Sequence, residues 1–216
     1  MKVINYLFAF CSILVLMGAG CIFKEKCGSG GGTYKFYVPF SIYPTSDTIK
    51  LNDTLWLHAN FSNQFLDSST LNYYKVENHP LMNFIYMIRI DTLPIIDGFK
   101  DFTVLPDTGS VFNSLDPDQA LRYILYLYQN DRYQFSAKVL PHKTGVYLLG
   151  FGAIPRQEVD FQEYCFEEYM NIFFTTNNNT TDNNYYLLTL CPDTAYQKIP
   201  VEAFLKVGSF CFRVVE

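Results

Sequence analysis

Leu55, Leu57, Ala59 and Phe61 alternate with Trp56, His58 and Asn60. A period of two sends the first set to one face of an extended strand and the second to the other, whereas a helix would scatter both. The same alternation recurs where Tyr133, Phe135, Ala137 and Val139 are interleaved with Gln134, Ser136 and Lys138. The segment His142-Lys143-Thr144-Gly145 then turns the chain and Val146 to Ile154 returns, which predicts a hairpin. Such spacing commits the chain to sheets with one buried face.

Further strands follow from composition and turn chemistry. Tyr34 to Tyr43 is rich in β-formers and ends in the turn sequence Pro44-Thr45-Ser46-Asp47. Phe84 to Leu93 is an apolar run bounded by Pro94 and Asp97-Gly98, and Phe99 to Leu105 a shorter one ended by Pro106. A helix is expected from Asp116-Pro117-Asp118-Gln119, an N-cap with proline at the first helical position, because Leu121, Ile124, Leu125 and Tyr128 then share one face. Strand is the competing reading for Tyr123 to Tyr128. A second helix is expected from the Asp160/Glu163 capping box to about Phe174, and a third from Pro200 to Val207, stopped by Gly208. Asn177 to Asn184 reads as a polar loop and Phe210 to Val215 as a closing strand. The expected fold is mainly β: an antiparallel, immunoglobulin-like sandwich with two or three short helices, built as one domain from residues 34–216. The Cys…Trp…Cys spacing of antibody domains is absent, so that likeness is architectural.

Hydrophobic residues make up 49% and aromatic residues 18% of the chain, a globular composition. The formal charge is −5 and becomes −6 if Lys2 leaves with a signal peptide. Without a basic cluster to neutralise phosphates, nucleic acid is excluded as a partner.

The first 33 residues obey other rules. Met1-Lys2 is followed by an uncharged apolar run ending in Gly18-Ala19-Gly20-Cys21, then Lys24, Glu25, Lys26 and the spacer Gly28 to Gly32. This resembles the signal and lipobox of a bacterial lipoprotein: residues 1–20 as signal, Cys21 as the lipidated first residue, and residues 21–33 as a flexible tether. Gly18 stands where the lipobox pattern has Leu or Val. Gly18 and Gly20 also satisfy ordinary signal cleavage, and Val3 to Phe23 is long enough to span a bilayer, although small residues before Cys21 have no use in a spanning helix. The expected location is the cell envelope, anchored to the outer membrane by lipid.

Of the six cysteines, Cys11 would leave with the signal and Cys21 would carry lipid, leaving Cys27, Cys165, Cys191 and Cys211 for disulfides. Cys165 with Cys191 is the preferred pair, since it would close the polar loop, and Cys191 with Cys211 is next. His58, His79 and His142 are scattered and no Cys-x-x-Cys spacing occurs, so neither metal nor other cofactor is expected.

Tyr43-Pro44-Thr45-Ser46-Asp47-Thr48-Ile49 followed by Asn52-Asp53-Thr54-Leu55-Trp56-Leu57, with the cysteine-ended signal and the Asn/Tyr/Phe-rich composition, is similar to envelope lipoproteins of Bacteroidetes-type bacteria. The resemblance covers about fifteen residues and implies location and a β-sandwich, not an activity. It also implies O-glycan acceptors at Asp-Ser/Thr followed by an aliphatic residue, Ala, Met or Thr: Thr48, Thr54, Thr92 and Thr194. The alternative is that Asp-Thr pairs open strands and cap helices through their own backbone hydrogen bonds. Asn52, Asn60, Asn178 and Asn179 head Asn-x-Ser/Thr triplets, relevant only in a eukaryotic source.

No Gly-x-Ser-x-Gly elbow, P-loop or His-Glu-x-x-His occurs. Gly150-Phe151-Gly152 lies in a strand pattern, and neither Glu167/Glu168 nor Asp116/Asp118 is spaced for paired-carboxylate chemistry, so no enzyme is expected. Two classes of function remain. One is a structural or protein-interaction module; the other is a glycan-binding accessory of an uptake system, using some of Tyr73, Tyr74, Tyr123, Tyr126, Tyr128, Tyr185 and Tyr186. A flat exposed tyrosine strip favours the second, scattered buried rings the first.

Overall fold

A computed structural model describes residues 31–114, 119–154, 156–161, 167–177 and 182–216. The signal, Cys21, Cys27, most of the glycine tether, Asp116 to Asp118, Glu163, Cys165, Asn178 and Asn179 lie outside the described residues. The chain divides into two units, one reaching to Tyr34 and including Arg156–Met170, the other formed by Lys35–Pro155 and Asn171–Glu216.

The larger unit is a β-sandwich. Its first sheet runs β11 (Leu127–Gln129), β12 (Arg132–Pro141), β3 (Leu55–Ser62), β1 (Gly32–Tyr43) and β15 (Glu168–Thr176), with β8 (Phe102–Thr108) also on β12. The second sheet runs β2 (Thr48–Lys50), β16 (Phe210–Val215), β13 (Gly145–Ala153), β6 (Met82–Arg89), β10 (Leu121–Leu125) and β9 (Ser110–Asn113), with β7 (Ile96–Asp97) on β6. A hairpin of β4 (Gln64–Leu66) and β5 (Tyr73–Lys75) stands apart.

Alternation sets the core. Phe36, Val38, Phe40 and Ile42 of β1, Leu55, Leu57, Ala59 and Phe61 of β3, and Tyr133, Phe135, Ala137 and Val139 of β12 all face inward. Phe40 meets Phe151 of the opposite sheet at 4.2 Å between ring centroids, and Phe102 meets Tyr147 at 4.7 Å edge-on. Those cross-sheet ring contacts fix the two layers face to face.

A second core lies behind the second sheet. The segment after the polar loop forms a 3-10 turn (Tyr185–Leu190) and two short helices (Thr194–Gln197 and Val201–Lys206), which cover the sheet's outer side. Leu187, Leu188, Cys191 and Phe204 pack there on Ile90, Val146, Leu148 and Cys211. Gly145 to Phe151 of β13 are therefore buried on both faces. Gly208 ends the last helix as expected: its φ of +67° is open to glycine but strained for other residues, and its N–H bonds the Leu205 carbonyl at 3.0 Å.

Five expectations are corrected. The helix from Asp116 is instead β10 and β11, because β6 and β9 flank β10 and offer hydrogen bonds on both sides. Ile124 and Tyr126 are buried and share an alternate-residue face, a period-two signal that sheet pairing selects over the helical one. The helix from Asp160 toward Phe174 is replaced from Glu168 onward by β15, which pairs with β14 (Gln157–Val159) and in which Met170, Ile172 and Phe174 alternate inward; residues 162–166 lie outside the described set. The strands before and after His142 to Thr144 are real but do not pair. β12 bonds β3, β8 and β11, and β13 bonds β6 and β16, so this turn carries the chain from one sheet to the other. Alternation identifies a strand's faces without naming its partners. Also, β16 pairs with β2 in parallel, so the sandwich is not wholly antiparallel.

Pro106 does not end its strand. It lies inside β8 at a register shift opposite Ser136/Ala137, on an edge strand where a missing N–H is tolerated.

The smaller unit is compact in its own right. β14 pairs with the start of β15, Gln157 opposite Met170 and Val159 opposite Glu168. The buried Glu168 carboxylate accepts the Tyr34 hydroxyl at 2.9 Å and the Phe161 amide, while Phe161 sets its ring edge-on to Tyr34 at 4.8 Å.

Candidate binding face

The two outer surfaces of the sandwich differ. The second sheet's is roofed by residues 185–206, whereas that of β1 and β3 is open. Lys35, Tyr37, Pro39, Ser41 and Tyr43 point outward from β1 and are exposed, as are His58, Asn60 and Ser62 on β3.

Cross-strand register assembles an aromatic row on this face. Tyr43 stands opposite Trp56, and Trp56 opposite Lys138, which in turn pairs with Leu105. Residues directly opposite in an antiparallel pair share a face. Tyr43 is 69% exposed and Leu105 45%. Trp56 is half-buried, with the Lys138 ammonium 5.0 Å above its ring, and Lys138 is held by Asp107 at 3.6 Å. Further along β1, Tyr37 stacks on Phe173 with centroids 5.2 Å apart and planes 25° apart. Between the two aromatic groups lie Ser41, opposite His58, and Asn60, which is bonded by the Arg132 guanidinium.

The tyrosines singled out from sequence do not form this row. Tyr74 and Tyr126 are buried, Tyr123, Tyr128 and Tyr185 are half-buried, and Tyr73 and Tyr186 are exposed at separate places. Tyr37 and Tyr43 were missed because they sit in a strand recognised only by its composition. Their outward phase is legible once Phe36, Phe40 and Ile42 are assigned inward.

The threonine sites divide. Thr48 and Thr194 are exposed, Thr54 and Thr92 half-buried. The aspartates before them hold local structure: Asp53 accepts the Lys50 amide at 3.1 Å, Asp193 caps a helix through the Ala195 amide at 2.9 Å, Asp91 takes the Arg89 guanidinium at 2.7 Å, and Asp47 receives the Tyr186 hydroxyl. Cys191 and Cys211 are free thiols buried in the second core, and Cys165, the expected partner of Cys191, lies outside the described residues.

Other concave or charged features have structural partners. A cavity of about 320 Å³ between the second sheet and its roof is lined chiefly by Tyr86, Ile88, Leu148, Tyr196 and Phe204, with Ser209 near the Tyr86 hydroxyl at 3.3 Å. A cleft of about 220 Å³ holds Arg122 over the Phe99 ring at 4.7 Å. Asp101 accepts the Tyr147 hydroxyl at 3.0 Å beside Arg89 and Lys143, and burial, then that bond to a carboxylate, pushes the Tyr147 phenol well up. Among the described residues no group of three or more His, Cys, Asp or Glu could hold a metal, and no helix is long and apolar enough to cross a membrane.

No protein-family model matches the chain, and no curated protein matches it.

Proposed function

We propose that this chain is an envelope lipoprotein, anchored through lipid at Cys21, that works as a non-catalytic interaction module. Its working surface is the open outer face of β1, β3 and residues 171–176 of β15. The observation that supports this is the contrast between the two outer faces. One is covered by the chain's own helices, while the other leaves Tyr43 in solvent beside Trp56 and Tyr37 in solvent beside Phe173. Two aromatic pairs on one uncovered sheet face, each with an exposed tyrosine, offer anchor points for a partner.

The tether supports a location near the membrane. The four glycine-type residues Gly28 to Gly31 ahead of β1 reach about 11 Å on average, so the module sits close to the bilayer. The test compares three forms in a bacterial host: the native chain, Cys21→Ser, and the double variant Tyr37→Ser/Tyr43→Ser. Cys21→Ser should leave the detergent phase or keep its signal. The native chain should migrate in a larger assembly on native gels, and the double variant should stay in the detergent phase but lose that assembly. Normal processing and partitioning of Cys21→Ser would contradict the anchor, and an unchanged assembly in the double variant would contradict the face.

A further inference from the structure

Building on that reading of the outer face, we infer that its ligand is an extended, uncharged glycan lying along β1, stacked on Tyr37 and Tyr43 with Trp56 as a side wall. Tyr37 and Tyr43 are six residues apart on one face of one strand, a span of about 20 Å at the rise of a β-strand. That length suits a chain of several sugar rings rather than one. Each ring is supported: Tyr37 rests against Phe173, and Tyr43 stands beside Trp56, whose upper face the Lys138 ammonium occupies. The two rings open to a ligand are therefore the tyrosines.

Between the stacking points the face offers hydrogen-bonding groups and few charges. Ser41, His58 and Asn60 are exposed there and Lys138 is matched by Asp107, while Lys35 and Arg132, which donates to the neutral Asn60 amide, add two cations, short of a basic field. Sugars present apolar C–H faces to aromatic rings and hydroxyls to such groups, whereas a polyanion needs a basic field. A peptide adding itself as a strand needs a free sheet edge, and β1 lies between β3 and β15.

The sole tryptophan faces Tyr43, which makes it a built-in reporter. The full chain in mild detergent is run through native gels containing neutral polysaccharides (xyloglucan, mixed-linkage β-glucan, galactomannan, α-mannan, glycogen) or the anionic polymers pectin and heparin. Trp56 fluorescence is titrated with the matching oligosaccharides. At least one neutral polymer should retard the protein and shift its fluorescence. Tyr37→Ala and Tyr43→Ala should each weaken binding about tenfold or more, and Tyr73→Ala, exposed on β5, should leave it unchanged. Unaltered thermal melting of the variants excludes misfolding as the cause. Retardation by no neutral polymer, or by the anionic ones alone, overturns the inference, as does binding that survives both tyrosine changes. If no polysaccharide binds while the native-gel assembly still depends on Tyr37 and Tyr43, the interaction module stands and the glycan does not.

Discussion

Replacing Gly152 with alanine should destabilise the sandwich through one identified ring. Gly152 lies opposite Phe84, and Gly150 opposite Tyr86, on adjacent strands of the second sheet. A Cβ on Gly152 would fall 2.0 Å from the Phe84 Cζ, and one on Gly150 would fall 2.1 Å from the Tyr86 Cζ. Carbon atoms pack best at about 3.5–4.0 Å, so the Phe84 ring must move by roughly 1.5 Å or more, losing contacts on its other side. Overpacking of this kind costs about 1–3 kcal/mol. The cost resides in the ring and not in the backbone, since no positive φ is required at Gly152. Phe84→Ala, itself destabilising, removes the obstacle. In that background Gly152→Ala should cost close to nothing, leaving a coupling of about 1–3 kcal/mol in a double-mutant cycle. Urea unfolding of the four forms, followed by Trp56 fluorescence, measures it. Equal penalties for Gly152→Ala in both backgrounds would refute the reasoning.

Three more outcomes follow from the same packing. Phe204→Ala removes the roof's main buried ring and should cost about 3–5 kcal/mol in urea unfolding. Cys191 and Cys211 should resist alkylation in the folded protein, because burial raises both thiols, and both should label on unfolding without reductant; a missing Cys191 label would reveal a bridge. Stability should fall in two stages as pH drops. Burial depresses His79, so its folded form binds protons less readily than the unfolded chain, and stability present above pH 6.5 is lost below it. At Asp67 burial opposes ionisation, but the Lys35 amide at 2.8 Å and the Thr70 amide at 2.9 Å outweigh it and hold the carboxyl below its ordinary range, so its contribution is present above the ordinary carboxylate pKa and is lost as pH falls below it. Melting curves from pH 8 to 3 should show His79→Gln losing the first stage and Asp67→Asn the second.

What the sequence made legible was local. The inward sets of β3 and β12 are unambiguous because a strand buried on one face leaves its period in the composition. β16 and the last helix were readable from their stop signals. Strand partners were not, since the residues that decide whether β12 joins β13 or β3 are spread over the chain. Leu121, Ile124 and Tyr128 fit a helix period while Ile124, Tyr126 and Tyr128 fit a strand's, and only β6 and β9 decide between them. The binding face hid for a related reason: Tyr43, Trp56 and Lys138 come from three distant segments, and register alone sets them side by side.

The most direct test of the open face is oxidative footprinting of the protein in place. Intact cells and purified protein receive the same brief hydroxyl-radical pulse, and modification of Tyr37, Tyr43 and Trp56 is compared with that of Tyr73 by peptide mass spectrometry. The account predicts that Tyr37, Tyr43 and Trp56 are protected on cells relative to purified protein while Tyr73 is not. Equal modification of all four residues in both settings would contradict it.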